Sequence, residues 1–401
     1  MVRPACSAGA GTERGNVDFS FPPEVERFRT ELRGWLTANL TDDTIHAARR
    51  GTADPHAFET VRVWNRALAD AGWATVAWPP QYGGRGATAL EQLVYAEETI
   101  RARAPLPVNV IGLNNIAPAI MQYGTESQKH ALLPRMARAD DIWCQGMSEP
   151  EAGSDLASLR TRAVRDGDSF VVTGQKTWTS LGHHADWCQL YVRTDPDAPK
   201  HRGISCLVVR MDLPGIEARP LVALNGDADF AEVFFDEVRV PADALLGPLN
   251  GGWQVATTTL SHERAGAARL YAEQRLRLEE LVTDLAKTEV DGRHALDDPV
   301  TLRRLGELAV RVDYLELLCK RSISASLAGA DGFASASLAK TVWGELGQDI
   351  AALGFDLLGA DGADGRWAQF RLTSRALTIA GGTTQVNKNI TAGRVLGLPR
   401  R

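Results

Sequence analysis

The chain has 401 residues, of which 44% are hydrophobic and 23% charged, with a formal net charge of -6 at pH 7. That is enough apolar material for two or three domains with full cores, and the acidic balance argues against nucleic acid as a main partner, because phosphate binding needs a basic surface. No run approaches about 18 apolar residues and the first residues carry no continuous apolar segment, so neither a membrane span nor a secretory signal is expected and the reading is cytoplasmic.

Residues 1–17 are rich in Ala, Gly and Ser without periodicity and are expected to form a tail outside the fold. From Pro22-Pro23 onward, Val25, Phe28, Leu32, Trp35 and Leu36 recur at three- and four-residue steps, the pattern of an amphipathic helix with proline in its first turn. Further helical patterns follow at about 57–71, 88–103, 107–122 and 126–139, so residues 18–140 are expected to be a helical domain. A breaker-rich loop, Trp78-Pro79-Pro80-Gln81-Tyr82-Gly83-Gly84-Arg85-Gly86, separates the first two. After Asp141 the period changes. Short β-branched or aromatic runs at 169–173, 187–192, 204–209 and 232–235, bounded by turn dipeptides, predict a β domain over 141–247. The helical period returns near 251–286, 299–330, 334–358 and 383–396, giving a C-terminal bundle over 248–401. The fold class is therefore α+β, with an antiparallel sheet between two helical domains.

Five scattered cysteines (Cys6, Cys144, Cys188, Cys206, Cys319) have neither zinc nor disulfide-framework spacing and are expected to be buried or inert thiols. His183 and His184 stand in an expected turn with no further ligand at metal spacing, and no metal is assigned.

Two segments stand out by composition: Cys144-Gln145-Gly146-Met147-Ser148-Glu149-Pro150-Glu151-Ala152-Gly153-Ser154-Asp155 and Gly174-Gln175-Lys176-Thr177-Trp178-Thr179-Ser180. Small hydroxyl residues, glycines and one aromatic let a backbone approach a flat polar ligand, with serine for its heteroatoms and tryptophan for its face. Two ordinary loops of a β domain would use the same residue types.

The order and spacing of these segments resemble the acyl-CoA dehydrogenase family, whose middle domain carries Thr/Ser-Glu-Pro-x-Ala-Gly-Ser-Asp and then Gly-x-Lys-x-Trp-x-Thr/Ser. The likeness extends from about Phe19 to Arg401, through Gly381-Gly382-Thr383-Thr384-Gln385 and Leu396-Gly397-Leu398-Pro399-Arg400. The resemblance implies FAD as cofactor, with Ser148 and the backbone around Met147 at the flavin ring, Trp178 packed against it and Ser180 near its reactive nitrogen. It also implies Ser154 near the CoA moiety, Gly359 and Gly362 near the FAD pyrophosphate across a subunit interface, and Thr383 with Gln385 near the adenosine. A plain helix C-terminal turn would use the same glycines. Many relatives have an Arg-x-x-Phe-Gly stretch where this chain reads Lys287 to His294; either Arg293 substitutes, or cofactor binding relies on a different partner chain.

The helix opening the last domain has an apolar stripe, Trp253, Ala256, Leu260, Ala267 and Leu270, and Glu263 falls on it. A carboxylate there must be paired, neutralised or aimed into a cavity. Arg264, one residue on, does not face it. An ion pair from another element is one outcome; the other is a general base, since an apolar slot raises a carboxylate toward working pH. The commonest family pattern places its Glu where this chain has Gly381, whereas a second branch, including the steroid side-chain enzymes, resembles Glu263-Arg264. By resemblance Gly381 gives its backbone N–H to the thioester oxygen, and Arg264 lies close to the CoA groove. The expected activity is α,β-dehydrogenation of an acyl-CoA to the trans-2-enoyl form, with an electron-transfer flavoprotein as acceptor and a homodimer, homotetramer or heterotetramer as the assembly. The alternatives are an O₂-using oxidase and a weakly active or non-catalytic subunit of a hetero-oligomer.

Overall fold

A computed structural model describes residues 21–263, 267–290, 292–329 and 333–399. The tail expected over residues 1–17, with Cys6, lies outside them. The N-terminal helices are α1 (Pro23–Asn39), α2 (Asp42–Arg50), α3 (Pro55–Asp70), α4 (Ala89–Arg101), α5 (Ala117–Tyr123) and α6 (Glu126–Ala137). Their starts follow local chemistry: Asp54 accepts from the N–H groups of His56 and Ala57, while Thr88 with Glu91 and Thr125 with Gln128 form capping boxes. Val25, Phe28, Leu32 and Leu36 are the buried face of α1, as their spacing requires, and Trp35 is half-buried.

Two features depart from the expected helices. The short, charged α2 carries too few apolar residues to show a period; Thr41 caps it and only Thr44 and Ala47 are buried. The helix expected from 107 is interrupted by a π-turn at Gly112–Ile116, and α5 begins after it. A π-turn inserts a residue without changing composition, so hydrophobic spacing does not reveal it.

The sheet comprises β1 (Trp143–Gly146), β2 (Arg162–Asp166), β3 (Ser169–Ser180), β4 (Trp187–Arg193), β5 (Ile204–Arg210), β6 (Ile216–Leu221), β7 (Phe230–Pro241) and β8 (Leu245–Leu246), in the order β6-β7-β3-β2-β4-β5-β8 with β1 beside β4. It is antiparallel except that β1 runs parallel to β4, and β2 meets β4 in parallel at Arg162 and Arg193. The expected antiparallel sheet is present, and the parallel contacts arise because the chain returns to β1's neighbour through β2 and β3 rather than by a hairpin. Alternation along β4 sorts two cores. Trp187 and Tyr191 pack with the N-terminal helices, whereas Cys188, Leu190 and Val192 pack with Phe170, Val233 and Phe235 on the opposite face.

The C-terminal part holds α7 (Gly252–Glu263), α8 (Ala267–Leu285), a small hairpin of β9 (Glu289–Val290) and β10 (Arg293–His294), and then α9 (Pro299–Leu327), α10 (Phe333–Leu358), α11 (Arg366–Thr373) and α12 (Thr384–Arg394). Helices α8, α9 and α10 share a core of Tyr271, Leu281, Leu315, Leu346 and Ile350. No helix among the described residues is long and apolar enough to cross a membrane.

Candidate functional site

Strand β1 delivers Met147 and Ser148 to the edge of the layer between sheet and helices, and the next residues are clamped onto β3. The N–H of Thr177 donates to the Ser148 carbonyl at 2.9 Å. The Lys176 ammonium donates to the Met147 carbonyl at 3.1 Å and to Glu149 Oε1 at 2.8 Å. Glu149 also accepts from the N–H groups of Arg160 (2.6 Å) and Thr161 (2.8 Å). Lys176 is 0% exposed and Glu149 7%. Burial pulls the Lys176 ammonium below its usual value against the attraction of Glu149, whereas on Glu149 burial is outweighed by Lys176 and the two backbone donors, so the carboxyl sits below its usual value. We assign the stable charge to Glu149, because three donors converge on it. Both residues lie inside the two segments singled out by composition, yet their role was not read from sequence. Two opposite charges among small residues were the available signal.

Trp178 sits where the β3–β7 register shifts between Lys176 and Thr179. Its backbone is left-handed, with φ of 56°, and its side chain is 63% exposed, edge-on to Phe230 at 5.8 Å. A bulky residue in that region of backbone space costs free energy and persists where surrounding structure imposes it, as a bulge does here. The result is a large aromatic face presented outward beside Ser148 and Ser180, both half-buried. Within the same strand the Thr179 hydroxyl is buried without a hydrogen-bond partner. Ser154 is exposed on the loop that Asp155 ties to Lys200 through two 2.9 Å contacts.

The other expected residues lie on two separate turns of the C-terminal bundle: one follows Leu358, the last residue of α10, and the other follows the segment whose Leu377 carbonyl accepts from Lys340, early in α10. Gly359 ends α10 with φ of 73°, its N–H donating to the Phe355 carbonyl, which is a helix cap in its own right. A Cβ on Gly362 would come within 2.3 Å of the Leu358 carbonyl oxygen. Gly381 has φ of 65°, Thr383 caps α12 by accepting from the N–H of Val386 at 3.1 Å, and Gln385 is exposed. Beside them the Thr384 hydroxyl is buried without a partner. Arg293 is exposed on the β9–β10 hairpin.

Thus Met147, Ser148, Trp178 and Ser180 are brought together, as are Gly359 and Gly362 on one turn and Gly381, Thr383 and Gln385 on another. Both turns adjoin α10, against which α12 packs. The extensive packing of C-terminal helices on the sheet is that of α7 on β4 and β5. The buried face of α7 is Gly252, Val255, Ala256 and Thr259, while Trp253 and Leu260, expected on the apolar stripe, are half-buried. This corrects the stripe by one residue: a helix lying on a sheet buries the row beneath its axis, including a threonine that hydropathy passes over. The backbone of Glu263 continues this helix; its side chain, and Arg264 entirely, lie outside the described residues.

The remaining expected features are placed as follows. The four described cysteines, Cys144, Cys188, Cys206 and Cys319, are buried and free. His183 and His184 stand in the turn after β3; His184 stacks on Phe58 at 4.3 Å, with Nε2 3.1 Å from the Thr52 carbonyl oxygen, and burial lowers both imidazoles from their usual value. Among the described residues no group of three His, Cys, Asp or Glu could hold a metal ion.

Comparison with known proteins follows this architecture. Models of the acyl-CoA dehydrogenase N-terminal, middle and C-terminal domains match residues 22–140, 144–238 and 250–396. The chain is 38% identical over 391 residues to acyl-CoA dehydrogenase IpdE1 of Mycobacterium tuberculosis, covering 94% of this chain and 98% of that one. Among solved structures it is similar to the ChsE4-ChsE5 complex from Mycobacterium tuberculosis, with TM-score 0.83 and 35% identity over 96% of this chain and 100% of that chain. It is also similar to the Tcur3481-Tcur3483 steroid ACAD, with TM-score 0.85 and 33% identity over 96% and 100%.

Proposed function

The chain belongs to the acyl-CoA dehydrogenase family, and we propose that in the dehydrogenation this implies, Glu263 removes the α-proton of an acyl-CoA thioester that leaves as the trans-2-enoyl form. The observation that carries this reading is the register of α7. Glu263 follows the buried Thr259 by four residues on the helix that lies over β4, the strand paired with β1, whose end carries Met147 and Ser148. A position one turn beyond that buried row falls on the face of α7 that is turned to the sheet. Gly381 has no side chain to act as a base, and its left-handed backbone suits glycine; its N–H is assigned to the thioester oxygen, where enolate charge develops.

The residues present fit a flavin: an outward Trp178 face, two half-buried serines and a Met147 carbonyl fixed by a buried ammonium. FAD, when bound, accepts the hydride from the β carbon. Ser148, Ser180 and the Met147 backbone hold the ring, Trp178 covers it, and Gly359, Gly362, Thr383 and Gln385 receive the pyrophosphate and adenosine. Arg293 is assigned to the same phosphate end. Because these residues fall into two groups on different elements, a second chain completing the cofactor site is part of the proposal. Ser154 and Arg264 line the CoA groove. An electron-transfer flavoprotein receives the electrons; hydrogen peroxide accumulating with turnover would instead identify an oxidase.

The test is Glu263→Gln, followed by flavin absorbance against a panel of acyl-CoA thioesters. Retained FAD and retained thioester binding are expected, with bleaching slowed by at least about 10²–10⁴; bleaching at the wild-type rate overturns the reading. Exposed Ile379, two residues before Gly381, favours an assembly through that turn. A chain that is colourless alone and yellow only with a co-expressed, different subunit would make it one component of a hetero-oligomer.

A further inference from the structure

Strand β4 reads Trp187, Cys188, Gln189, Leu190, Tyr191, Val192, and one residue in that apolar run does not belong by hydropathy. Gln189 is 0% exposed. Its position on the strand turns it toward the helices, on the same face as Trp187 and Tyr191. Burying an amide is unfavourable unless its bonds are made. They are made in a line that crosses four elements. Asn115, in the π-turn, donates to Gln145 on β1 at 3.3 Å; Gln145 donates to Gln189 Oε1 at 3.1 Å; Gln189 Nε2 donates to the Thr259 hydroxyl on α7 at 3.4 Å; the Tyr191 hydroxyl lies 3.2 Å from the same oxygen. Thr259 is 1% exposed and Tyr191 0%.

At its other end the approach to α7 is tied to β5 through the Ile204–Gly251 bridge, and a Cβ on Gly252 would lie 2.5 Å from the Ser205 carbonyl carbon, so helix and strand backbones touch there. Apolar contact along Val255 and Ala256 has no preferred rotation, because hydrophobic burial is non-directional. Hydrogen bonds at Thr259 do have one. Four residues further, about 6 Å along the axis and rotated about 40°, stands Glu263.

We infer that the Gln145–Gln189–Thr259 line, with Tyr191, sets the rotation of α7 and so aims the Glu263 carboxylate. Gln189 and Thr259 are positioning residues; neither is assigned contact with substrate. The inference rests on Glu263 being the base, and its test separates the two. Gln189→Leu/Thr259→Val replaces the two central partners by apolar groups of similar volume but leaves the Tyr191 hydroxyl and the Gln145 amide one bond short, so the thermal midpoint should fall moderately while the protein stays folded at the assay temperature. Flavin bleaching by whichever thioester of the panel reacts fastest with wild type should nevertheless slow by about 10–100-fold, the scale of an ångström misplacement. FAD content should not change. Binding of that substrate's 3-thia analogue, in which sulfur at the β position leaves only the α-proton to be lost, should hold within about twofold. The charge-transfer band that reports loss of this proton should form at higher pH than in wild type. Thr259→Ser keeps the hydroxyl and should restore the rate.

A double variant that bleaches within about threefold of wild type, while Glu263→Gln remains slow, overturns the positioning role and leaves the base assignment standing. Glu263→Gln as fast as wild type, or a wild type bleached by no thioester of the panel, overturns both. If the double variant does not fold, Thr259→Val alone, which leaves the volume nearly unchanged, is judged by the same criteria.

Discussion

The wall around Ser148 and the turn around Gly381 are held in opposite ways. At the wall, a fully buried ammonium, a buried carboxylate and three backbone N–H groups converge on residues 147–149, and a register shift in β3 turns Trp178 outward. At the turn, glycines with positive φ and a threonine cap do what they do at many helix ends, and the Ile379 side chain stays in water. The first region is rigid within one chain and has a shape suited to a ring. The second, with positive φ at Gly381 and Gly382, suits the contacts proposed there: the thioester oxygen at Gly381 and the adenosine at Thr383 and Gln385.

Removing the ammonium is the strongest way to break the comparison. Lys176→Met leaves Glu149 buried and unpaired and is expected to cost about 3–5 kcal/mol, read as a lowered midpoint in chemical unfolding, with loss of yellow colour. Lys176→Met/Glu149→Gln should recover most of the stability without the colour, because the neutral amide still accepts from the Arg160 and Thr161 N–H groups while the ammonium that fixes the Met147 carbonyl is gone.

The acid side sharpens the same point. Glu149 sits below its usual value despite burial, because Lys176 and the Arg160 and Thr161 N–H groups favour the charged form. A carboxyl with a depressed folded value stabilises fully above its unfolded value and loses that contribution as pH falls through the folded one. Between neutral pH and the acid side of the ordinary glutamate value of 4.5, the thermal midpoint of wild type should fall further than that of the double variant. Equal falls would show that the pair contributes nothing.

Smaller effects separate ring from phosphate end. Trp178→Ala removes a 63% exposed side chain, so the fold should be unchanged while FAD dissociates about 3–10-fold more readily, the value of one aromatic contact. Fluorescence titration of apoprotein with FAD measures it. Thr383→Ala removes a cap and should cost about 1 kcal/mol of stability, visible by thermal melting before any cofactor is added.

Much of this was legible in the chain. The 3.6-residue period located α1, α9 and α10 because each buries one continuous row against its neighbours, and proline marked where α1 begins. The Ser148 and Trp178 segments stood out because close backbone approach restricts residue type. What was not legible depends on partners distant in sequence. Lys176 and Glu149 meet across 27 residues and Gln189 meets Thr259 across 70; neither separation leaves a periodic trace. The π-turn and the parallel β1–β4 pair are likewise settled by packing.

Residue order alone determined the helix, sheet, helix succession, which follows from local propensity, and, through motifs that resemble a known family, the kind of chemistry. Tertiary structure decided which face of α7 is inside, which charges are buried together and which way Trp178 points, because burial and pairing are properties of neighbours in space and a sequence specifies them only once it has folded.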